Sequence, residues 1–187
     1  REVINPGVDI ETFKSTKKKK FVLFLGRFAK QKGVDDVVAV AKELPNVKFV
    51  MCGWGEEEKR LREMSPKNIE FVDGNNNKEK VVELYSKAPV CFFPSEAETF
   101  GLVVIEAMAS GAAIVSTIDL PYNGFKVKSG DIKTMKEKIE YLITHPDKAA
   151  AMGKANVQLA KNYTWDNSAD NFIQTYYSLL KKKHSRA

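Results

Sequence analysis

The sequence predicts an α/β fold, a Rossmann-like doubly wound parallel sheet with C-terminal helices. Three observations carry this reading. Short apolar segments rich in β-branched and aromatic residues recur along the first two thirds of the chain, each closing on Gly, Pro, Asp or Ser/Thr. Helical patterns separate them, which is the alternation of βαβ units around a parallel sheet buried on both faces. The last third is helical throughout.

The strand segments are FVLFLG (21–26), VKFVMCG (47–53), NIEFV (68–72), PVCFFP (89–94) and AAIVST (112–117), with NGFKV (123–127) as a short sixth. Between them, helical spacing spans Val34–Leu44, Glu56–Met64, Lys78–Lys87 and Leu102–Ser110. Asp131 is an N-cap for a helix over 132–144, and Pro146 ends it. Two further helices, Asp147–Asn162 and Asn167–Lys182, flank NYTW. There is no internal repeat or low-complexity linker, so residues 1–187 read as one domain on which the final helices, about 147–182, pack.

Composition narrows the class. A chain of 187 residues buries roughly 70% of its unfolded surface and supports a core without disulfides. Its 43% hydrophobic and 29% charged content is that of a soluble globular protein, and no apolar run approaches the ~20 residues of a membrane helix. No secretory signal is visible, and the opening Arg1 predicts a fragment or processed form. Cys52 and Cys91 lie inside strand segments, which predicts buried reduced thiols and a cytoplasmic setting. The net charge of +6 is concentrated in Lys17–Lys20 and Lys181–Lys183. Such runs read as solvated faces or, alternatively, as peripheral attraction to the anionic inner face of a membrane. Aromatic residues are not interleaved with the basic ones, so nucleic-acid binding is not expected.

In open parallel sheets a ligand sits beyond the carboxyl ends of the strands. The residues there are Gly26-Arg27, Gly53-Trp54-Gly55, Asp73-Gly74, Ser95 to Gly101, and Thr117 onward. In GRFAKQKG, Arg27 and Lys32 flank a loop that opens a helix, an arrangement suited to a diphosphate or simply to two exposed cations. GWGEEEKRL is not a dinucleotide fingerprint, because Glu58 stands where a third glycine is needed and three glutamates would repel a pyrophosphate. Its Gly53 and Gly55 read as a turn beside a ligand or as ordinary turn glycines. In ETFGLVVIEAMASG, Glu98 falls on a loop and Glu106 in the second turn of an otherwise buried helix. A buried carboxylate needs a partner, either hydrogen bonds from a diol or a salt bridge to Lys or Arg. No His/Cys/carboxylate group has metal-ligand spacing, no D-x-D triplet is present, and there is no G-x-S-x-G elbow, so no metal site is expected.

Taken together, these residues resemble the C-terminal, donor-binding domain of GT-B-fold retaining glycosyltransferases of the family 4 type, over almost the whole chain. VINPGVDIETF is similar to the segment that opens that domain, and GRFAKQKG to its G-R-x4-K-G loop. ETFGLVVIEAMASGAAIV matches its E-x7-E signature, and NYTWDNSADNFIQTYYSLL resembles its closing helices. The resemblance implies an NDP-sugar donor (UDP-, GDP- or ADP-linked), a hexosyl group passed on with retained configuration, and no cofactor or obligatory metal. It implies Arg27, Lys32 and Glu98 as the catalytic set: the two cations on the diphosphate, the carboxylate on the transferred sugar. It places Glu106 on the ribose, backbone N–H groups of Phe100, Gly101 and Leu102 on sugar or phosphate, Val72 and Gly74 by the nucleobase, and Gly26, Gly53 and Gly55 in the donor loops. An N-terminal acceptor domain of the same enzyme, absent from this chain, would complete the site. The same architecture serves glycogen or starch synthases and sugar-nucleotide epimerases, and a non-catalytic binding module is the remaining alternative. One departure stands out. Thr117 runs through IDLP almost directly into YNGFKV, so the loop after the fifth strand is short or a segment near Leu120–Tyr122 is missing.

Overall fold

The computed structural model describes residues 6–75 and 77–184, with side chains through residue 178. The start of VINPGVDIETF and the side chains of Lys181–Lys183 lie outside the described residues. The strands are β1 (Val22–Leu25), β2 (Phe49–Gly53), β3 (Ile69–Asp73), β4 (Val90–Phe93), β5 (Ala113–Ser116) and β6 (Gly124–Lys126). They form one parallel sheet in the order β3-β2-β1-β4-β5-β6, as the doubly wound reading requires. The helices are α1 (Val34–Glu43), α2 (Glu58–Met64), α3 (Lys78–Lys87), α4 (Leu102–Ala109), α5 (Ile132–Thr144), α6 (Pro146–Ala160) and α7 (Trp165–His184).

Period-two alternation sends successive strand residues to opposite faces of the sheet. Val22, Phe24, Met51 and Phe92 pack with α1 and α5, whereas Leu23, Cys52, Cys91 and Ile114 pack with α3 and α4. Both cysteines are buried free thiols, and burial pushes Cys52 up to about 11 and Cys91 up to about 12. They are core residues, poor as nucleophiles because the thiolate is suppressed.

Caps place the helix ends close to the expected positions. Asn77 Oδ1 accepts from Lys80 N at 3.0 Å to start α3, and Asp131 Oδ1 accepts from Thr134 N at 3.1 Å to start α5. Pro146 both follows α5 and opens α6, where its missing N–H costs nothing. The final helix begins at Trp165, earlier than the expected Asn167, because Thr164 Oγ1 accepts from Asn167 N at 3.2 Å and caps it there. Of the lysine run, Lys18 is half-buried and donates to the Ser110 carbonyl at the end of α4, while Lys17, Lys19 and Lys20 are exposed. These residues lead into β1 and so lie at the amino edge of the sheet, away from the ligand edge.

The sheet order has one switch point. After β1 the chain fills β2 and β3 on one side, then crosses to β4 on the other. The β1–β4 register covers Val22–Leu23 against Val90–Cys91, whereas β1 pairs with β2 along its whole length, so β1 and β4 part toward their carboxyl ends. Gly33 joins the loops on the two sides of this crevice. Its φ of 67° is left-handed, and an added Cβ would stand 2.1 Å from the Pro94 carbonyl oxygen. Gly33→Ala is expected to lower unfolding stability by at least about 2 kcal/mol, read from the urea midpoint at constant m-value.

Candidate functional site

Residues 26–33 form the first wall of the crevice. Phe28 is fully buried between Phe24 and Phe71, with ring centroids at 6.4 and 5.9 Å. Its N–H donates to the Trp54 carbonyl at 2.7 Å, and its carbonyl accepts from Glu57 N–H at 3.0 Å. Burial of one aromatic side chain contributes about 2–3 kcal/mol, so this anchor fixes the loop and sets Arg27 beside it on the surface. Arg27 Nη2 lies 3.1 Å from Glu56 Oε2, with both side chains more than half exposed, a pair that solvent weakens. The other two glutamates of the acidic run are also paired, Glu57 with Arg60 and Glu58 with Arg62.

The glycines of the second loop have a packing reason. An added Cβ would fall 1.9 Å from the Gly26 carbonyl oxygen at Gly53 and 2.4 Å from the Phe28 carbonyl oxygen at Gly55. The two loops therefore run backbone against backbone. Gly26 differs, since a Cβ there would meet only the Phe24 ring at 3.5 Å. Val72 is half-buried at the end of β3, and Gly74 N–H reaches the Gly53 carbonyl at 3.4 Å. Trp54, half exposed, stands on this same edge, where the sequence places it without assigning it a role.

Opposite lies the loop after β4. Glu96 N–H donates to the Gln31 carbonyl at 2.9 Å, tying the two walls together. Lys32 Nζ lies 2.7 Å from Glu98 Oε2, with side-chain exposures of only 23% and 20%. Glu98 Oε1 also accepts from the Thr99 N–H at 3.0 Å, so the carboxylate is held at both oxygens. Ser95, Glu98, Phe100, Thr117, Ile118 and Asp119 line part of a cleft of about 260 Å³ beside this pair.

α4 starts where expected, at Leu102, with Gly101 in a left-handed conformation at φ 85°. The short connection 117–123 runs in front of it. A Cβ on Gly101 would lie 3.0 Å from Ile118 Cγ2 and 3.1 Å from Leu120 Cδ1. Two apolar side chains thus cover Gly101, while Leu102 remains 41% exposed. The Phe100 ring turns toward Tyr163, 6.4 Å between centroids, and links this loop to the turn before α7.

Glu106 stands apart from the Lys32–Glu98 pair. Val104, Ile105, Ala107, Met108 and Ala109 are buried, and the half-buried Glu106 shares its helix face with Leu102 and Val103. Burial pushes its carboxyl above the usual carboxylate range, against a hydrogen bond from Tyr85 and the charge of Lys78, which pull it down. The chain thus joins Lys32 to Glu98, gives Arg27 to Glu56, and turns Glu106 toward α3. Tyr85 and Lys78 were not expected at the site. The signal for Tyr85 was a hydroxyl on the apolar face of a helix, which needs a partner when buried.

The doubly wound Rossmann-like sheet thus brings two ion pairs, Arg27–Glu56 and Lys32–Glu98, to the crevice at its switch point, where such sheets hold ligands. The chain belongs to the glycosyl transferases group 1 family, which residues 8–158 match. A glycosyltransferase of Methanocaldococcus jannaschii, described only as uncharacterized, is 28% identical over 190 residues, covering 95% of this chain and 53% of that protein. Sucrose-phosphate synthase from Thermosynechococcus elongatus shares the fold, with TM-score 0.83, 23% identity and coverage of 97% of this chain and 53% of that one. HepE from Anabaena, in complex with UDP and glucose, has TM-score 0.80 and 18% identity over 95% of this chain and 57% of its own. The fold is that of one half of a GT-B glycosyltransferase, and the chain spans about half the length of the curated relatives it matches. Among the described residues no helix is long and apolar enough to cross a membrane.

Proposed function

We propose that this chain is the donor-binding, C-terminal half of a retaining glycosyltransferase that passes a hexosyl group from an NDP-sugar to an acceptor. The observation that carries the reading is the shielded Lys32–Glu98 pair at the switch point, with Arg27 on the same loop as Lys32. In this reading Arg27 and Lys32 receive the donor diphosphate and stabilise the charge that grows on the leaving nucleoside diphosphate, with no obligatory metal. Glu98 exchanges its lysine for hydroxyls of the transferred sugar. Glu106 accepts hydrogen bonds from the ribose diol, which satisfies its buried charge. Gly26 offers open backbone to the phosphates, and Val72 and Gly74 face the base. HepE, a neighbour in fold, is crystallised with UDP and glucose, which supports this class of ligand.

A second, N-terminal half of the enzyme supplies the acceptor site, so this half alone binds donor and transfers nothing. The buried free thiols fit a cytoplasmic setting, and the exposed lysines beside β1 fit contact with the inner face of a membrane. Isothermal titration with UDP, GDP and ADP tests the reading. One of the three is expected to bind, and Glu106→Ala is expected to weaken that binding roughly tenfold or more, the loss of hydrogen bonds to a charged group. No heat from any of the three at millimolar concentration would count against the assignment.

A further inference from the structure

A hollow opens at the amino edge of the sheet, on the other side of the molecule from the crevice. Its volume is about 340 Å³, inside the range of roughly 300–1,000 Å³ that small-molecule pockets span. Pro89 before β4, with Leu142, Ile143, Ala149 and Ala150 around the α5–α6 elbow, makes its lining largely apolar. Lys18, Lys19 and Lys20, from the segment that leads into β1, complete it. Apolar walls with a few convergent charged groups are the composition of a ligand site.

The charges in the hollow do not balance. Lys18 Nζ donates to the Ser110 carbonyl at 2.5 Å, beside Gly111 of the same lining. Among the described residues, Lys17, Lys18, Lys19 and Lys20 form no ion pair. Burial lowers Lys18 to about 8, since its ammonium loses hydration and gains no carboxylate in return. Among the described residues Asp147 is the one carboxylate of the lining. It occupies the first turn of α6, where the positive end of the helix dipole already favours it. An anionic head and an aliphatic tail in one molecule would satisfy both the lysines and the apolar walls.

We propose that the hollow binds a free single-chain amphiphile with a carboxylate head, the head on Lys18 and its neighbouring lysines and the tail over Leu142, Ile143, Ala149 and Ala150. Its concave shape favours this occupant over a bilayer. A membrane presents its headgroups as a broad front, which the exposed Lys17, Lys19 and Lys20 can meet with nothing entering the hollow. A soluble polyanion would satisfy the lysines and leave the apolar walls in water. The site is independent of the donor crevice, which lies at the other edge of the sheet.

Straight-chain carboxylates from acetate to decanoate, below their micelle concentrations, are the probes. They are titrated into the chain by calorimetry and by NMR of its backbone amides. Affinity is expected to rise about two- to fourfold with each methylene from butanoate to octanoate. The largest shift changes are expected at Leu142, Ile143, Ala149 and Ala150. Octanol carries the tail without the charge and is expected to bind roughly tenfold more weakly than octanoate. Lys18→Gln keeps a donor for the Ser110 carbonyl and removes the charge, and it is expected to weaken octanoate by roughly tenfold. Ala150→Trp, at an exposed position on the rim, fills the hollow and is expected to flatten the chain-length series. Affinity that does not depend on chain length would mean attraction to surface lysines alone and would overturn the proposal. Octanol that binds as well as octanoate, or shift changes confined to other parts of the chain, would overturn it too. So would octanoate binding that both variants leave unchanged, or phosphatidylglycerol vesicles that bind the chain while octanoate does not.

Discussion

Replacing Arg27 and Lys32 together by alanine is expected to weaken nucleoside diphosphate binding by roughly 100-fold or more. A charge-assisted hydrogen bond is worth about 1.5–3 kcal/mol, and two such bonds lost together span about two to four decades in affinity. The structure adds a reason to expect the upper part of that range. Each cation faces a carboxylate, Arg27 with Glu56 and Lys32 with Glu98, so the double variant leaves two unpaired negative charges at the place a diphosphate would occupy. The converse follows. Glu56→Gln releases Arg27 and is expected to strengthen nucleotide binding several-fold, most visibly at low salt, since the pair is exposed and screened. Isothermal titration at two ionic strengths reads both effects. A double variant that binds as the parent does would show that the diphosphate sits elsewhere.

The second large effect concerns stability. Asn156 is fully buried on α6 and bonds both ends of the β5–β6 region. Its Nδ2 donates to the Ala112 carbonyl at 2.8 Å and to the Asn123 carbonyl at 2.9 Å, and its Oδ1 accepts from Asn123 N–H at 2.6 Å. Parallel strands are usually joined by a long crossover with a helix, but here residues 117–123 make the return alone. The asparagine ties the residue before β5 to the residue before β6 across this short connection. Asn156→Ala leaves the Ala112 carbonyl and the Asn123 N–H without these bonds, opens a cavity at a fully buried position, and is expected to cost about 3 kcal/mol, with a fall of roughly 6–12 °C in Tm for a chain of this size. Asn156→Asp is expected to be no better, because a carboxylate offers no donor to the two carbonyls. Thermal unfolding of both variants checks this. An aspartate that behaves like the parent would show that volume alone matters at the position.

The crevice was legible because it follows from topology. Alternating strands and helices imply a parallel sheet, the sheet implies a ligand edge, and the loops that reach it can be read off the ends of the apolar segments. Lys32 and Glu98 were both named in this way, and the structure joins them at 2.7 Å. Gly53 and Gly55 were named as well, yet their smallness reflects contact with the Gly26 and Phe28 carbonyls. A glycine that lets two backbones meet and one that lets a ligand approach look the same in a sequence.

By itself the sequence determined the fold class, the order of its elements and the edge on which the charged groups collect. Those rest on local periodicity, capping residues and chain punctuation, which neighbours along the chain decide. The tertiary structure alone decided which groups meet: Arg27 with Glu56, Lys32 with Glu98, the Tyr85 hydroxyl with the Val103 carbonyl, and Ile118 and Leu120 over Gly101. These partners lie far apart in sequence and meet only because the sheet carries their loops to one edge and its helices to one face. Their pairing depends on distance and burial, and neither is written in the spacing of residues along a chain.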